Sequence, residues 1–168
     1  MVKEKRTLKL KSLTAEAFAP YGDVIEVSSE ADSFPINYGQ TTRYNALSRV
    51  DTGEDGTPII SIFRTKPVDL PIRINVMERH PLASQTFMPM SCNAYIVVVA
   101  PKGDLDFTKL EAFIVRPSQG VTYHKGVWHH YNLVLAGNGD FLVIDRQGGG
   151  NNCDEVDIPE NLDIVVEK

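Results

Sequence analysis

Hydrophobic and polar positions alternate along most of this chain with the period of two that a half-buried strand requires. The segments "DVIEV", "TTRYNAL", "PIISIFRT", "LPIRINVMERH", "SQTFMPM", "NAYIVVVA", "LEAFIVRP", "WHHYNLVL" and "DFLVIDR" all read as strands. Turn signals separate them: "DTGEDG", "PKGD", "PSQG", "HKG" and "AGNG". Only "TAEAFAPYG", residues 14–22, predicts a helix, capped by Thr14 and stopped by Pro20 and Gly22. The tail "EVDIPENLDIVVEK" predicts one more edge segment. Many short strands with one short N-terminal helix point to an all-β sandwich or barrel, formed as a single domain over residues 1–168. Two strands, "NAYIVVVA" and "LEAFIVRP", are apolar on both faces. Their outer side needs a cover, from elsewhere in the chain or from a second subunit, and a homodimer is the expectation.

One strand departs from the simple pattern. In "LPIRINVMERH" a single alternation puts Ile72, Ile74, Val76, Glu78 and His80 on the core face, and Arg73, Asn75, Met77 and Arg79 toward water. An apolar face that ends in a carboxylate and an imidazole needs a cation, a donor network or solvent there, because an unpaired buried charge costs several kcal/mol or more.

Composition narrows the class. The chain is 42% hydrophobic and 23% charged, ordinary for a globular protein, and its net charge of −5 without a Lys/Arg block argues against nucleic acid. The basic start "MVKEKRTLKLK" is interrupted by Glu4 and has neither the apolar core nor the cleavage site of a signal peptide. The longest apolar run, "AYIVVVA", is strand-sized, so no membrane helix is expected. Two cysteines, Cys92 and Cys153, make no disulfide framework, and a cytoplasmic location is the simplest expectation.

Three of the four histidines fall in "YHKGVWHHYN". If this stretch is a glycine turn followed by a strand, Trp128, His130 and Asn132 share one face, and His129, Tyr131 and Leu133 the other. Only one of His129 and His130 then points inward. Taken alone, Glu78 and His80 suit a rim ion pair as well as a ligand pair, and Gln85 is an ordinary polar strand end. His124 suits an acid/base or a structural turn, and His130 a packing role. Arg64 ends the Ile60 and Ile62 face, suited to a substrate carboxylate or to a rim ion pair. Asp145 closes the Phe141 and Val143 face, as a partner for a histidine or an arginine. "INYGQTTRYN" carries Asn37, Arg43 and Tyr44, suited to a substrate loop or an ordinary polar hairpin. "QGGGNNCD" lacks the Gly-Lys-Ser/Thr ending of a phosphate loop and reads as a tight connection.

The spacing Glu78-x-His80-x4-Gln85 resembles the first metal-binding motif of the cupin superfamily, and "GVTYHKGVWHHYN" resembles the second. Glu78 and Gln85 stand where histidine and glutamate are usual, while His80 and His129 keep the expected type. More narrowly, "PYGDVI", "ERHPLASQTFMPM", "YHKGVWHH" and "DRQGGGNNCD", in that order, resemble the bacterial ureidoglycolate lyases of allantoin breakdown. The resemblance implies a cupin-type jelly roll, a double-stranded β-helix, that cleaves (S)-ureidoglycolate to glyoxylate and urea. It implies a divalent ion on Glu78, His80, Gln85 and His129; such a donor set suits Zn, Ni, Mn or Fe(II), with Ni or Zn the first expectation. His124 is then the expected acid or base, with Tyr44 or Asp145 assisting, and Arg64, Asn37 and Arg43 the expected substrate contacts. The rivals are an amidohydrolase releasing ammonia from the same substrate, a cupin oxygenase or isomerase, and a binding regulator, for which no helix-turn-helix is legible.

Overall fold

The computed structural model describes residues 3–91 and 93–168, and nearly all regular structure there is strand. Strand β1 (Glu4–Ser12) leads to the helix α1 (Ala15–Phe18), where the Thr14 hydroxyl accepts from the Ala17 N–H at 3.1 Å. Next come β2 (Gly22–Ile25), the hairpin of β3 (Ser33–Ile36) and β4 (Thr41–Tyr44), and β5 (Thr57–Thr65). The short β6 (Ile72–Arg73), β7 (Val76–Arg79) and β8 (Gln85–Pro89) complete the first half. The second half holds β9 (Tyr95–Ala100), β10 (Glu111–Val115), β11 (Gly120–Tyr123), β12 (Trp128–His129) and β13 (Leu133–Val134). It closes with β14 (Gly139–Gln147), β15 (Asp154–Asp157) and β16 (Leu162–Glu167).

Two sheets pack face to face. The larger runs β15-β7-β12-β9-β10-β1-β16-β6, with β13 also on β9, and the smaller runs β2-β11-β8-β14-β5. Between them lies an aromatic core that includes Phe18, Phe87, Tyr95, Phe113, Tyr123 and Phe141, several meeting edge to face. The expected cupin-type jelly roll is the architecture found.

A second core lies on the outer side of β9 and β10, where Ile96, Val98, Ala100 and Ala112 are covered by Leu8 of β1 and by Ile164 and Val166 of β16. The chain's own two ends therefore hide the doubly apolar strands, and the packing argument for a partner at that place falls. Both covering strands depart from the sequence reading. "TLKLK" carries a period-two pattern masked by its charges, and it forms part of the nine-residue β1, parallel to both β10 and β16. The tail supplies two strands rather than one edge segment: β15 lies at an edge, but β16 lies inside the sheet.

Two local irregularities set the faces around the site. "LPIRINVMERH" is not one strand: Ile74 leaves the ladder, its N–H donating to the Ile164 carbonyl at 2.9 Å, and β7 begins afresh at Val76. Ile74 and Met77 are both fully buried in the outer core, a spacing of three that an unbroken strand cannot give. Met77 thus faces protein rather than water, while Glu78 still turns inward. Likewise His129 lies opposite Val99 and Leu133 opposite Ile96, four steps on one chain against three on the other. That extra residue is a β-bulge. It sends Leu133 to the outer core with Trp128, opposite to the face of His129 on which simple alternation places it.

Candidate metal centre

Glu78 of β7 and His129 of β12 are direct cross-strand partners, so their side chains project together into the space between the sheets. Gln85, the first residue of β8, approaches from the facing sheet, and His80 follows β7 by one residue. The His129 Nε2 atom lies 3.3 Å from Glu78 Oε1 and 3.2 Å from Gln85 Oε1. His80 Nε2 lies 3.1 Å from the same Gln85 oxygen. The ligand atoms of Glu78, His80 and His129 all lie within 4.8 Å of one another.

The backbone decides what these nitrogens can do. His80 Nδ1 lies 2.6 Å from the Asn152 carbonyl and His129 Nδ1 lies 3.3 Å from the Val127 carbonyl. A carbonyl only accepts, so each imidazole donates from Nδ1 and leaves Nε2 as a lone pair. Two nitrogen lone pairs, a carboxylate oxygen and an amide oxygen then converge with no hydrogen among them. With the Gln85 oxygen turned inward such a set is repulsive, a cation at its centre relieves it, and two imidazoles with two oxygens fit a divalent transition metal. The carbonyls that fix the tautomers are the outer partners a metal-bound histidine requires.

Burial acts in the same direction. His129 is 1% exposed, and desolvation lowers its pKa against the opposing pull of Glu78, which keeps the imidazole neutral as metal binding demands. Tyr123 stacks on the His129 ring at 4.2 Å and 19°, and its hydroxyl donates to Asn132 Oδ1 at 3.3 Å. That aromatic plate fixes the ring plane from behind.

Asp145 belongs to the same inner face. Its neighbour Ile144 pairs with Thr86, so Asp145 lies one step further along β14, beside Gln85. Its Oδ1 is buried without a hydrogen-bond partner among the described residues. The other expected residues lie elsewhere. His124 follows Tyr123 and turns to the outer side of the smaller sheet, where its Nε2 lies 3.1 Å from Asp23 Oδ1 and the Ser48 hydroxyl donates to Asp23 Oδ2 at 2.8 Å. It lines an outer cavity of about 580 Å³ with Asp23, Ser48, Arg49 and Lys102. Arg64 forms a two-pronged ion pair with Asp140, both bonds 2.8 Å, on that outer side. Asn37, Arg43 and Tyr44 lie in the β3–β4 hairpin and its turn, which pairs with neither main sheet. His130 is buried and packs on Tyr131 at 3.8 Å.

Three contributors escaped the sequence. Asn152, in the glycine-rich connection, holds His80 through its carbonyl and takes the Leu82 N–H on its side chain at 2.9 Å. Its place after "QGGG" was the available signal. Cys153 and Glu155 stand within 4.8 Å of the Glu78 carboxylate, at the rim. Burial, then the carboxylates of Glu78, Glu155 and Asp154, pushes the Cys153 thiol up in pKa, so it stays protonated.

Comparison with known proteins gives this geometry a context. The family model described as ureidoglycolate lyase matches residues 5–165. The ureidoglycolate lyase of Pseudomonas aeruginosa (strain LESB58) is 49% identical over 164 residues, 96% of each chain. That of Burkholderia mallei (strain NCTC 10229) is 48% identical over 158 residues, 94% of this chain and 92% of the relative. Among solved structures, a dTDP sugar isomerase from Desulfovibrio desulfuricans G20 aligns over 84% of this chain and 87% of its own at 15% identity and a TM-score of 0.46. A match that runs from β1 into β16 takes in every residue of the cluster, and with it the chain belongs to the ureidoglycolate lyase family.

Proposed function

We propose that the chain cleaves (S)-ureidoglycolate to glyoxylate and urea at the Glu78, His80, Gln85 and His129 centre. The observation that carries this reading is the convergence of four acceptor atoms with no proton among them, together with relatives named for this reaction. A divalent ion held there, Ni or Zn first, would supply Lewis acidity that lowers the pKa of a bound hydroxyl.

The chain's own part is proton handling. Ureidoglycolate is a carbinolamide: its hydroxyl loses a proton, C–O becomes C=O, and the C–N pair leaves with the urea nitrogen, which takes up a proton. No water is consumed. Asp145 is the group proposed to take that proton and return it to the leaving nitrogen, because its inward oxygen has no other partner among the described residues. General acid–base help of this kind is worth about 10²–10⁴-fold. His129 and His80, each held through Nδ1 by a carbonyl, orient the site, and Gln85 joins them from the facing sheet.

The chain is further proposed to work as a cytoplasmic homodimer. Support for the dimer comes from the outer face of the smaller sheet, where Ile60 is 71% and Ile62 60% exposed. The test of the activity is incubation of metal-loaded protein with racemic ureidoglycolate, following glyoxylate, urea and ammonia together. Equal urea and glyoxylate without ammonia supports the lyase, ammonia supports the amidohydrolase, and no turnover of either enantiomer overturns both.

A further inference from the structure

The outer cavity of about 580 Å³ takes no part in the proposed reaction, yet separate parts of the chain combine to build it. Asp23 on its wall belongs to a cross-strand row with Thr122 and Thr86. That row points away from the metal centre because the neighbouring Tyr123 and Gln85 point toward it. The sheet itself therefore separates the cavity from the metal ligands.

The segment 45–51 forms one wall and is pinned in two places. The Ser48 hydroxyl donates to Asp23 Oδ2 at 2.8 Å and lies 2.8 Å from the Thr122 hydroxyl. The Ser84 N–H donates to the Asp51 carbonyl at 2.8 Å, and the Asp51 N–H to Ser84 Oγ at 2.9 Å. On this anchored wall Ala46 is held at φ 49°, in the left-handed region that favours glycine. Backbone strain of this kind gathers at ligand clamps.

Three cations line the cavity from three elements: Arg49 on that wall, Lys102 after β9, and Lys125 in the turn between β11 and β12. Lys125 lies 3.9 Å from Asp51 Oδ2. Neither Arg49 nor Lys102 has an ion-pair partner among the described residues. One unpaired surface cation is ordinary. Three around one cavity, on a chain of net charge −5, repel one another, and a bound anion relieves that repulsion.

The cavity also offers acceptors. Both Asp23 oxygens are engaged, Oδ1 by His124 Nε2 at 3.1 Å and Oδ2 by Ser48. Because Nε2 donates to Asp23, the neutral His124 ring keeps Nδ1 as a lone pair. Asp51 Oδ1 takes the Gly53 N–H at 2.9 Å, which leaves Oδ2 for a further donor. A ligand matching both sets carries a carboxylate for the cations and N–H groups for the acceptors. Phosphate has no such donors and meets the Asp51 charge.

We propose that this cavity is a second binding site, across the sheet from the metal centre, for a small carboxylate bearing ureido or amide N–H groups. Arg49 and Lys102 hold the carboxylate, and Asp51 and His124 accept from the N–H groups. The site goes beyond the lyase reading and needs no metal.

Ureidoacetate is the probe, since it has the carboxylate and the ureido group but lacks the hydroxyl at which the proposed cleavage starts. Wild-type protein is treated with phenylglyoxal, which modifies arginine, with and without saturating ureidoacetate, and the modified residues are mapped by mass spectrometry. Ureidoacetate should slow modification of Arg49 at least tenfold and leave the rate at Arg64, on β5 at the far edge of the sheet, unchanged. Equal rates at Arg49 overturn the site. Acetate and inorganic phosphate at the same concentration should shield Arg49 at least tenfold less, because a charge-assisted hydrogen bond is worth about tenfold in affinity or more. Equal shielding by either overturns the ligand class. In equilibrium dialysis, Arg49→Gln combined with Lys102→Gln should remove one equivalent of bound ureidoacetate per chain. An unchanged stoichiometry places the probe at the metal centre alone and overturns the site. Turnover enters none of these measurements, so a failure of the lyase reading leaves them decisive.

Discussion

If the proposed divalent ion is held by Glu78, His80, Gln85 and His129, chelating it should destabilise the whole domain as well as stop catalysis. In the stripped protein His129 stays 1% exposed while its Nε2 faces two oxygens at 3.2 and 3.3 Å, so acceptors confront acceptors where water has little access. An ion present at a thousandfold its Kd adds about 4 kcal/mol to stability. A domain of this size shifts by about 2–4 °C for each kcal/mol, so chelation should lower Tm by roughly 8–16 °C. Scanning calorimetry before and after chelation, with elemental analysis of both samples, measures this, and re-adding Ni or Zn should restore the difference. An unchanged Tm in protein that never held metal would refute the reasoning. The Gln85 amide, turned round, would then donate to both imidazole lone pairs and satisfy the cluster without an ion. Gln85→Leu separates the cases: it should weaken metal retention here, but destabilise a metal-free protein there.

The remaining predictions address other parts of the molecule. Asp145→Asn should lower kcat by about 10²–10⁴-fold with metal content and Tm preserved, since the amide keeps the shape and loses the base. A loss of the same size in His124→Ala would return the reaction to the Asp23–His124 pair on the outer side. Arg64→Ala should leave kcat/KM unchanged, because its guanidinium is engaged by Asp140 on the outer side. Ile62→Glu should yield monomers by light scattering, and dimers that persist would move the interface elsewhere. Burial, then the Glu111 carboxylate, raises the Tyr21 pKa from 10.0 to about 12. The folded value exceeds the unfolded one, so this phenol's stabilisation is complete below pH 10 and is lost as pH rises through about 12. Tyr21→Phe should therefore flatten the alkaline limb of the stability curve between those values.

The sequence by itself determined the all-β class, the Thr14 cap, most strand positions and the four converging groups. Each is a local signal: a period of two, a capping hydroxyl, a glycine turn, or a spacing along one strand. Tertiary structure alone decided which faces met. The break at Ile74–Asn75 and the bulge after His129 each flip alternation, and neither Met77 nor Leu133 announces that in its own neighbourhood. Charges hid β1, whose burial depends on β10 and β16 flanking it from distant parts of the chain. The same holds for the separation of candidates. Asp145 and Arg64 both close plausible faces in sequence, but the two strands present those residues to opposite sides of one sheet. His124 differs from His129 for the same reason, since successive side chains on β11 and beyond point through and away from the core. Side-chain direction is a property of pairing register, and register is fixed only when the sheets close around their shared core.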